Sequence, residues 1–345
     1  MQAFILAGGK GTRLRPLTVY TPKPIVPVLN RPLLLYQIEV LARAGITDIK
    51  LSLSYQPDKI EDVLGDGSEY GVKLRFITES SPMGTGGAYK FAADGSKEST
   101  LVFNGDILTD LDISKLVAFH KQKKADATIA LAPVENPSAY GLVETGSDGR
   151  VKCFVEKPSA AECSGIPTNM INAGIYVLEP AILDLIPPDE STSFEYKVFP
   201  DVLERQMGFY GFDIEKNYWR DIGTPASYLA AHRDLLSGAI PTVQASNSQA
   251  DIATKAFVDK HSVIGEGCVI KPNVRVINSV LGPGVHIDEK SVVENSVIWA
   301  HTRISAFAEV RGAVVGRSCY IGRNVTVSEG SVLGDKASVP DYSAV

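Results

Sequence analysis

Between positions 6 and 24 the chain reads Leu6-Ala7-Gly8-Gly9-Lys10-Gly11-Thr12-Arg13-Leu14-Arg15-Pro16-Leu17-Thr18 and, two residues on, Thr21-Pro22-Lys23-Pro24. Three glycines in four positions allow tight backbone geometry and leave amides uncovered by side chains. Successive uncovered amides form a concave anion site. The cations Lys10, Arg13 and Lys23 lie close by in sequence. Together these groups suit a polyphosphate. Two familiar phosphate loops are excluded. The pattern G-x-x-x-x-G-K-[ST] is absent, and Leu14 stands where a dinucleotide fingerprint needs its third glycine.

Carboxylates that could hold a divalent cation follow at Asp106, in Phe103-Asn104-Gly105-Asp106, and at Asp221, in Trp219-Arg220-Asp221-Ile222-Gly223-Thr224-Pro225. Mg²⁺ favours one or two carboxylates completed by phosphate oxygens and water. Asp110 and Asp112 lie nearby, and one of them is expected to cap a helix at Ile113. Glu79 opens the segment Glu79-Ser80-Ser81-Pro82-Met83-Gly84-Thr85-Gly86-Gly87-Ala88. An ionised carboxylate only accepts hydrogen bonds, so were a nucleobase to lie against it, the adjacent N1–H and N2–H₂ donors of guanine would be matched. Uracil and thymine carry one donor between two acceptors, which an amide would match better.

The elements that position these groups alternate. Apolar runs at 3–6, 49–53, 74–77, 101–103, 127–132 and 173–178 read as strands. Helical patterns at 32–44, closed by Gly45, and at 113–123 lie between them. Alternating units imply an α/β fold, a mainly parallel sheet with helices on both faces, in which ligands bind at the carboxyl ends of the strands. The glycine loop and Asn104-Gly105-Asp106 both follow strands, at such ends.

The stretch 237–250, rich in small and polar residues up to Ser248, reads as a linker. It separates a first domain, 1–236, from a tail, 251–345. In the tail aliphatic residues recur every six positions: Val258, Ile264, Ile270 and Val276, then Leu281, Ile287 and Val293, with one-residue slips between blocks. Turns begin at Ile264, Leu281, Ile298, Val315 and Leu333. This is a hexapeptide repeat, one aliphatic per side of a triangular β-helix. A solenoid of this kind leaves sides and ends to cover, so a homo-oligomer through the β-helix is expected. No catalytic group is expected after about residue 250, and a chain ending near Ser237 is expected to keep the site's geometry.

The 345 residues carry a net charge of −6, which argues against nucleic acid or an anionic membrane as partner. No run reaches the ~20 apolar residues of a membrane span. The chain opens directly on a strand, so no signal peptide is expected. Cys153, Cys163, Cys268 and Cys319 show no C-x-x-C pairing and read as reduced thiols of a cytoplasmic protein.

The loop segment resembles the signature of the sugar-1-phosphate nucleotidyltransferases, G-G-x-G-T-R-L-x-P-L-T followed by P-K-P, and every fixed position matches. Many of these enzymes carry a left-handed β-helix tail, and their catalytic domain is Rossmann-like. The resemblance implies attack by a sugar 1-phosphate on the α-phosphorus of a nucleoside triphosphate, with pyrophosphate leaving. It assigns Arg13, Lys23, Asp106 and Asp221 to catalysis, with Asp106 and Asp221 on Mg²⁺. Leu6, Ala7, Gly8, Gly9, Gly11, Thr12, Glu79, Pro82, Gly84 and Thr85 are assigned to the nucleotide. Gly141, Glu156, Lys157 and Asn172 are assigned to the sugar phosphate. The phosphate monoester nucleophile is already largely ionised at neutral pH. No general base is needed, in keeping with five histidines that all lie outside the family motifs.

Pro82-Met83-Gly84-Thr85-Gly86-Gly87-Ala88 resembles the P-x-G-T-x-G-A loop of guanylyltransferases. The stretch from Glu156-Lys157-Pro158 to Pro225 is similar to the mannose-1-phosphate guanylyltransferase branch, which implies GTP and mannose 1-phosphate. Rival readings stay open. One is UTP, dTTP or ATP with glucose 1-phosphate, or GTP with heptose 1-phosphate. Others are a catalytically silent regulatory subunit and an acyltransferase built on His261, His286 or His301. One departure bears on the sugar: in Ser193-Phe194-Glu195-Tyr196-Lys197 a tyrosine stands where the family often has a basic residue.

Overall fold

The structure, a computed structural model, describes residues 1–79, 81–93, 95–188, 190–243 and 248–345. Ser80 of the Glu79 segment and residues 244–247 of the expected linker lie outside the described residues. The chain forms two compact units: Met1–Gly9 with Leu34–Trp219, and Lys10–Leu33 with Arg220–Val345. This grouping cuts across a boundary at 237–250, because the loop bearing Arg13 and Lys23 goes with the tail.

The first unit is built on a nine-stranded sheet. Its strands are β1 Gln2–Leu6, β2 Asp48–Leu53, β3 Lys73–Thr78, β4 Thr100–Asn104, β5 Ala127–Pro133, β6 Gly141–Thr145, β7 Val151–Glu156, β8 Met170–Leu178 and β9 Phe209–Asp213. The order is β7-β6-β8-β4-β1-β2-β3, with β5 paired to β8 and β9. β4, β1, β2 and β3 are parallel neighbours, with Ala3 opposite both Ile49 and Leu101. β8 runs antiparallel to β4, β5 and β6, so the sheet is mixed on that side. Parallel strands covered on both faces read as continuous apolar runs, and Phe4, Ile5, Ile49, Leu51, Leu101, Val102 and Phe103 are all buried.

The helix expected at 32–44 forms at Leu33–Arg43 (α1), and Gly45 ends it in the left-handed conformation. Between β4 and β5 runs Ile113–Lys123 (α2). The Asp112 carboxylate caps it by accepting from the amides of Ser114 and Lys115. Tyr89, Tyr176, Phe194 and Phe199 pack in tilted, edge-to-face and stacked pairs, with ring centroids 5.1–5.5 Å apart. Geometries of this kind add to plain burial.

In the second unit the tail is a three-sided parallel β-helix whose sheets hold six, five and five strands. The register follows the repeat: Ile264 lies over Leu281, Leu281 over Ile298, Ile298 over Val315 and Val315 over Leu333. The slips are short corners, and Asn278 and Asn295 turn two of them at positive φ. Their side chains stack, Asn278 Nδ2 donating to Asn295 Oδ1 at 2.7 Å.

The three sides differ on the outside. On two of them the outward column is largely open, as at Arg303 and Tyr320 on one and Phe257, Arg275 and Glu309 on the other. On the third it reads Val263, Val280, Val297 and Val314, each no more than 3% exposed, and ends on the partly buried Val332. Full burial of a valine is worth roughly 1.5–3 kcal/mol, so an uncovered column would be costly.

Elements of this unit bonded to the third side include the loop Lys10–Leu33 and the helix Pro225–Leu236 (α3). Asn30 Nδ2 donates to the Leu281 carbonyl at 2.8 Å, and the Trp299 indole N–H donates to the Tyr228 hydroxyl at 2.9 Å. A Cβ on Gly334 would lie 3.0 Å from Pro16.

Candidate active site

In the first unit the carboxyl ends of β1 to β4 bring five predicted positions to one edge. Leu6 ends β1, and the Ala7 amide donates to the Ser52 carbonyl at 2.9 Å. The Gly105 amide donates to the Leu6 carbonyl at 2.9 Å, which sets Asn104-Gly105-Asp106 against Leu6 and Ala7. Asp106 itself lies two residues beyond β4. Gly8 accepts from the Ser54 hydroxyl and lies beside Glu79: a Cβ on Gly8 would be 3.1 Å from Glu79 Oε1.

Glu79 is buried, and its carboxylate is already engaged. Oε1 accepts from the Ser52 hydroxyl at 2.8 Å and Oε2 from the Met83 amide at 3.1 Å. It closes its own loop. A carboxylate has about four acceptor sites, so capacity remains for a base.

Gly84 begins the next helical segment, Gly84–Ala92, at φ 71, and a Cβ there would meet the Thr192 carbonyl at 2.5 Å. The Gly86 and Gly87 amides donate to that carbonyl at 2.8 and 3.0 Å. Thr85 is equally committed. Its hydroxyl donates to Glu195 Oε2 at 2.8 Å and accepts from the Phe194 amide at 2.9 Å. The loop after Pro82 is thus clasped to residues 192–195, where Ser193 caps a single π-helical turn, Phe194–Val198. Such turns recur at functional sites.

The sugar-side residues gather where β6 and β7 pair. Gly141 is directly opposite Glu156, and a Cβ on Gly141 would lie 2.9 Å from the Glu156 carboxylate and 2.7 Å from the Phe154 ring. Any larger residue would displace both. Burial, and then the charge of Glu195, hold the Glu156 carboxyl above its ordinary pKa, while Lys157 pulls it back. Lys157 Nζ lies 3.9 Å from Glu156 and 6.0 Å from the centre of the exposed Tyr196 ring. The tyrosine at the departed position therefore faces the predicted phosphate cation.

Asn172 lies in β8 at a bulge. It donates to the Tyr176 hydroxyl at 2.9 Å and accepts from the Gly174 amide at 2.8 Å. One N–H of its amide remains for a ligand.

In the second unit Gly11 adopts φ 60 and accepts from the Thr18 hydroxyl at 2.7 Å. A Cβ on Gly11 would meet Lys23 Cβ at 3.1 Å, so this turn and Lys23 are packed together. Thr12 and Arg13 form a 3₁₀ turn, Thr12–Leu14, anchored by the buried Leu14 and Leu17. Arg13 and Asp221 flank Gly223: a Cβ on Gly223 would be 2.5 Å from Asp221 Oδ2 and 3.4 Å from an Arg13 guanidinium nitrogen. Glycine is the residue that leaves both groups room.

Asp106 and Asp221 are the hard oxygen donors a divalent cation favours, and each stands next to or near a closely approached glycine. Either carboxylate suits an ion whose remaining sites are filled by phosphate oxygens and water. Among the described residues no cluster of three or more His, Cys, Asp or Glu forms a metal site. Pattern reading missed Ser52, Ser54 and Tyr176, which orient Glu79, Gly8 and Asn172. All three lie on predicted strands or just beyond one, but nothing local marks their partners.

Residues 2–238 match the family model "Nucleotidyl transferase", and residues 244–345 match "EIF2B subunit epsilon LbH domain". The chain belongs to the nucleotidyl transferase family, with a left-handed β-helix as its tail. A mannose-1-phosphate guanylyltransferase of Mycobacterium tuberculosis is 37% identical over 304 residues, 85% of this chain and 83% of that protein. A mannose-1-phosphate guanyltransferase of Pichia angusta is 37% identical over 352 residues, 99% of this chain and 93% of that one. Mannose-1-phosphate guanylyltransferase 1 of Arabidopsis thaliana is 34% identical over 351 residues, with the same coverage, 99% and 93%. Among solved structures, a putative glucose-1-phosphate thymidylyltransferase from Bacillus anthracis superposes with TM-score 0.60 at 24% identity, covering 67% of this chain and 93% of that one. That likeness bears on the fold.

Proposed function

We propose that the chain transfers the nucleoside monophosphate of GTP to mannose 1-phosphate, releasing pyrophosphate and forming GDP-mannose. The observation that carries this reading is relatedness along nearly the whole chain to proteins named for that reaction. An oxygen of the sugar phosphate bonds to the α-phosphorus, and the bond to the β-phosphate bridge breaks. The nucleophile arrives ionised, so the protein's part is alignment and charge neutralisation.

Arg13 is assigned to the β- and γ-phosphates, where a guanidinium fork matches the oxygens. Lys23 is assigned to the transferred phosphate. The uncovered amides of Gly8, Gly9, Gly11 and Thr12, with Leu6 and Ala7 at the strand end, are assigned to the nucleotide. Pro82, Gly84 and Thr85 shape the base loop, with Glu79 on guanine. Gly141, Glu156, Lys157 and Asn172 are assigned to the sugar phosphate.

The family works with a divalent cation. We take it to be Mg²⁺ held by Asp106 and Asp221, where it would offset charge on the phosphates. Four free cysteines support a cytoplasmic protein, and the net charge of −6 supports small-molecule partners over nucleic acid. Among the described residues no helix is long and apolar enough to cross a membrane. The open sides of the β-helix, with Phe257, Phe307 and Tyr320 exposed, support a homo-oligomer through the tail.

The test is pyrophosphate release with each of GTP, UTP, dTTP and ATP against mannose 1-phosphate and glucose 1-phosphate. GTP with mannose 1-phosphate should give the highest kcat/KM. A higher value for another pair would replace this substrate assignment.

A further inference from the structure

We propose that the valine-bearing side of the β-helix is the seat of the phosphate loop, so that the tail positions Arg13 and Lys23 for catalysis without touching substrate. The inference rests on the functional reading above.

Its first support is the contrast between the sides. Among the described residues the outward column Val263, Val280, Val297 and Val314 is buried, with Val332 at its end partly so, and the loop and α3 bond to that sheet at Leu281 and Trp299. The second support is the hairpin on the far side of Lys23. Pro27–Val28 pairs with Arg31–Pro32, and the two residues between, Leu29 and Asn30, both take positive φ, 45 and 64. Asparagine tolerates that conformation, but leucine does so only where its surroundings enforce it.

Those surroundings are visible. The Leu29 amide donates to His232 Nε2 at 3.3 Å, and the Tyr228 hydroxyl donates to the Pro27 carbonyl. Asn30 reaches the Leu281 carbonyl of the β-helix. His232 Nδ1 bonds back to the Tyr228 carbonyl at 2.9 Å, and burial pushes its pKa down to about 4. The ring is therefore neutral, with Nε2 free to accept.

From the hairpin the restraint passes along few residues. The Leu33 amide donates to the Val26 carbonyl and the Val26 amide to the Lys23 carbonyl, each at 3.1 Å. Lys23 packs on Gly11, which begins the Arg13 turn. Asn30, Tyr228, His232 and Trp299 are positioning residues in this scheme. On this proposal the geometry of the site depends on the tail.

The experiment uses full-length protein. Asn30→Gly keeps the positive φ and removes the bond to Leu281; Trp299→Phe keeps a ring and removes the bond to Tyr228. Amide hydrogen exchange across residues 11–26 should accelerate about tenfold in each, and kcat should fall about tenfold, the scale of one lost buried hydrogen bond. KM for the sugar phosphate and exchange in β1 to β4 should stay at wild-type values. Glu309→Ala, on an open side, should change none of these. Wild-type loop exchange and wild-type kcat in both variants would overturn the inference. So would uniformly faster exchange in both units, which would reduce the tail to general support. A wild-type protein inactive with every substrate pair would refute the functional reading instead, and the exchange data would still decide whether the loop is seated on the tail.

Discussion

The β-helix and the substrate edge of the sheet are held together over different distances along the chain. In the β-helix each aliphatic contacts its equivalent one turn away, Ile264 over Leu281 and Leu281 over Ile298. At the sheet edge Thr85 bonds Glu195, 110 residues away, and the glycines after Pro82 close on Thr192. A periodic structure writes its contacts into its own spacing. A site assembled from distant loops writes only the residue types. The tail is thus a regular support, and the substrate edge is where single residues carry single tasks.

That contrast can be broken at either end. The largest effect should come from the irregular region's metal candidates. Asp106→Asn and Asp221→Asn should each cut turnover more than ~100-fold with folding retained, because the phosphates lose a charge clamp. Near-normal turnover in either variant would remove that residue from the site.

In the regular region each core aliphatic carries stability. Ile287 is fully buried, so Ile287→Ala should cost ~2–5 kcal/mol in denaturant unfolding, while Glu309→Ala should stay within about 0.5 kcal/mol. Equal effects would mean the stack is not the packed core described.

A third test uses pH. His232, lowered to about 4 in the folded chain, takes up its proton near 6.5 when unfolded. Between those values the unfolded state binds the extra proton, so this contribution is full above about 6.5 and is lost as pH falls toward 4. The loss should reach about 3 kcal/mol, and His232→Gln should flatten that slope in pH-dependent unfolding. Identical slopes would show that the ring is not held neutral.

The smallest effect sharpens the reading of the base. Glu79→Gln should cost GTP ~1–3 kcal/mol in kcat/KM and cost dTTP or UTP less, since the amide nitrogen faces a donor on guanine. An equal loss for all nucleotides would leave Glu79 with only its contacts to Ser52 and Met83.

Much of this was legible in the sequence. The parallel strands, α1 and α2 with their caps, and the turn spacing of the tail all rest on local pattern and burial. The mixed half of the sheet was not, because an antiparallel β8 leaves no local mark that a parallel strand lacks. Nor was the burial of Glu79, since its partners Ser52 and Met83 come from another strand and from its own loop. The association of the loop with the tail also has a mark in the sequence. Outward valines at 263, 280, 297 and 314 repeat with the turn, and an apolar column outside a solenoid signals a covered face.

The most direct test of the account follows the bond it says is made. The protein is given mannose 1-phosphate and GTP labelled at its α-phosphorus, with a divalent cation, and the products are separated. The account predicts that label appears in GDP-mannose, one per unlabelled pyrophosphate released, and that Arg13→Ala suppresses both together. Label recovered only in GTP, or in free GMP with no sugar attached, would contradict it.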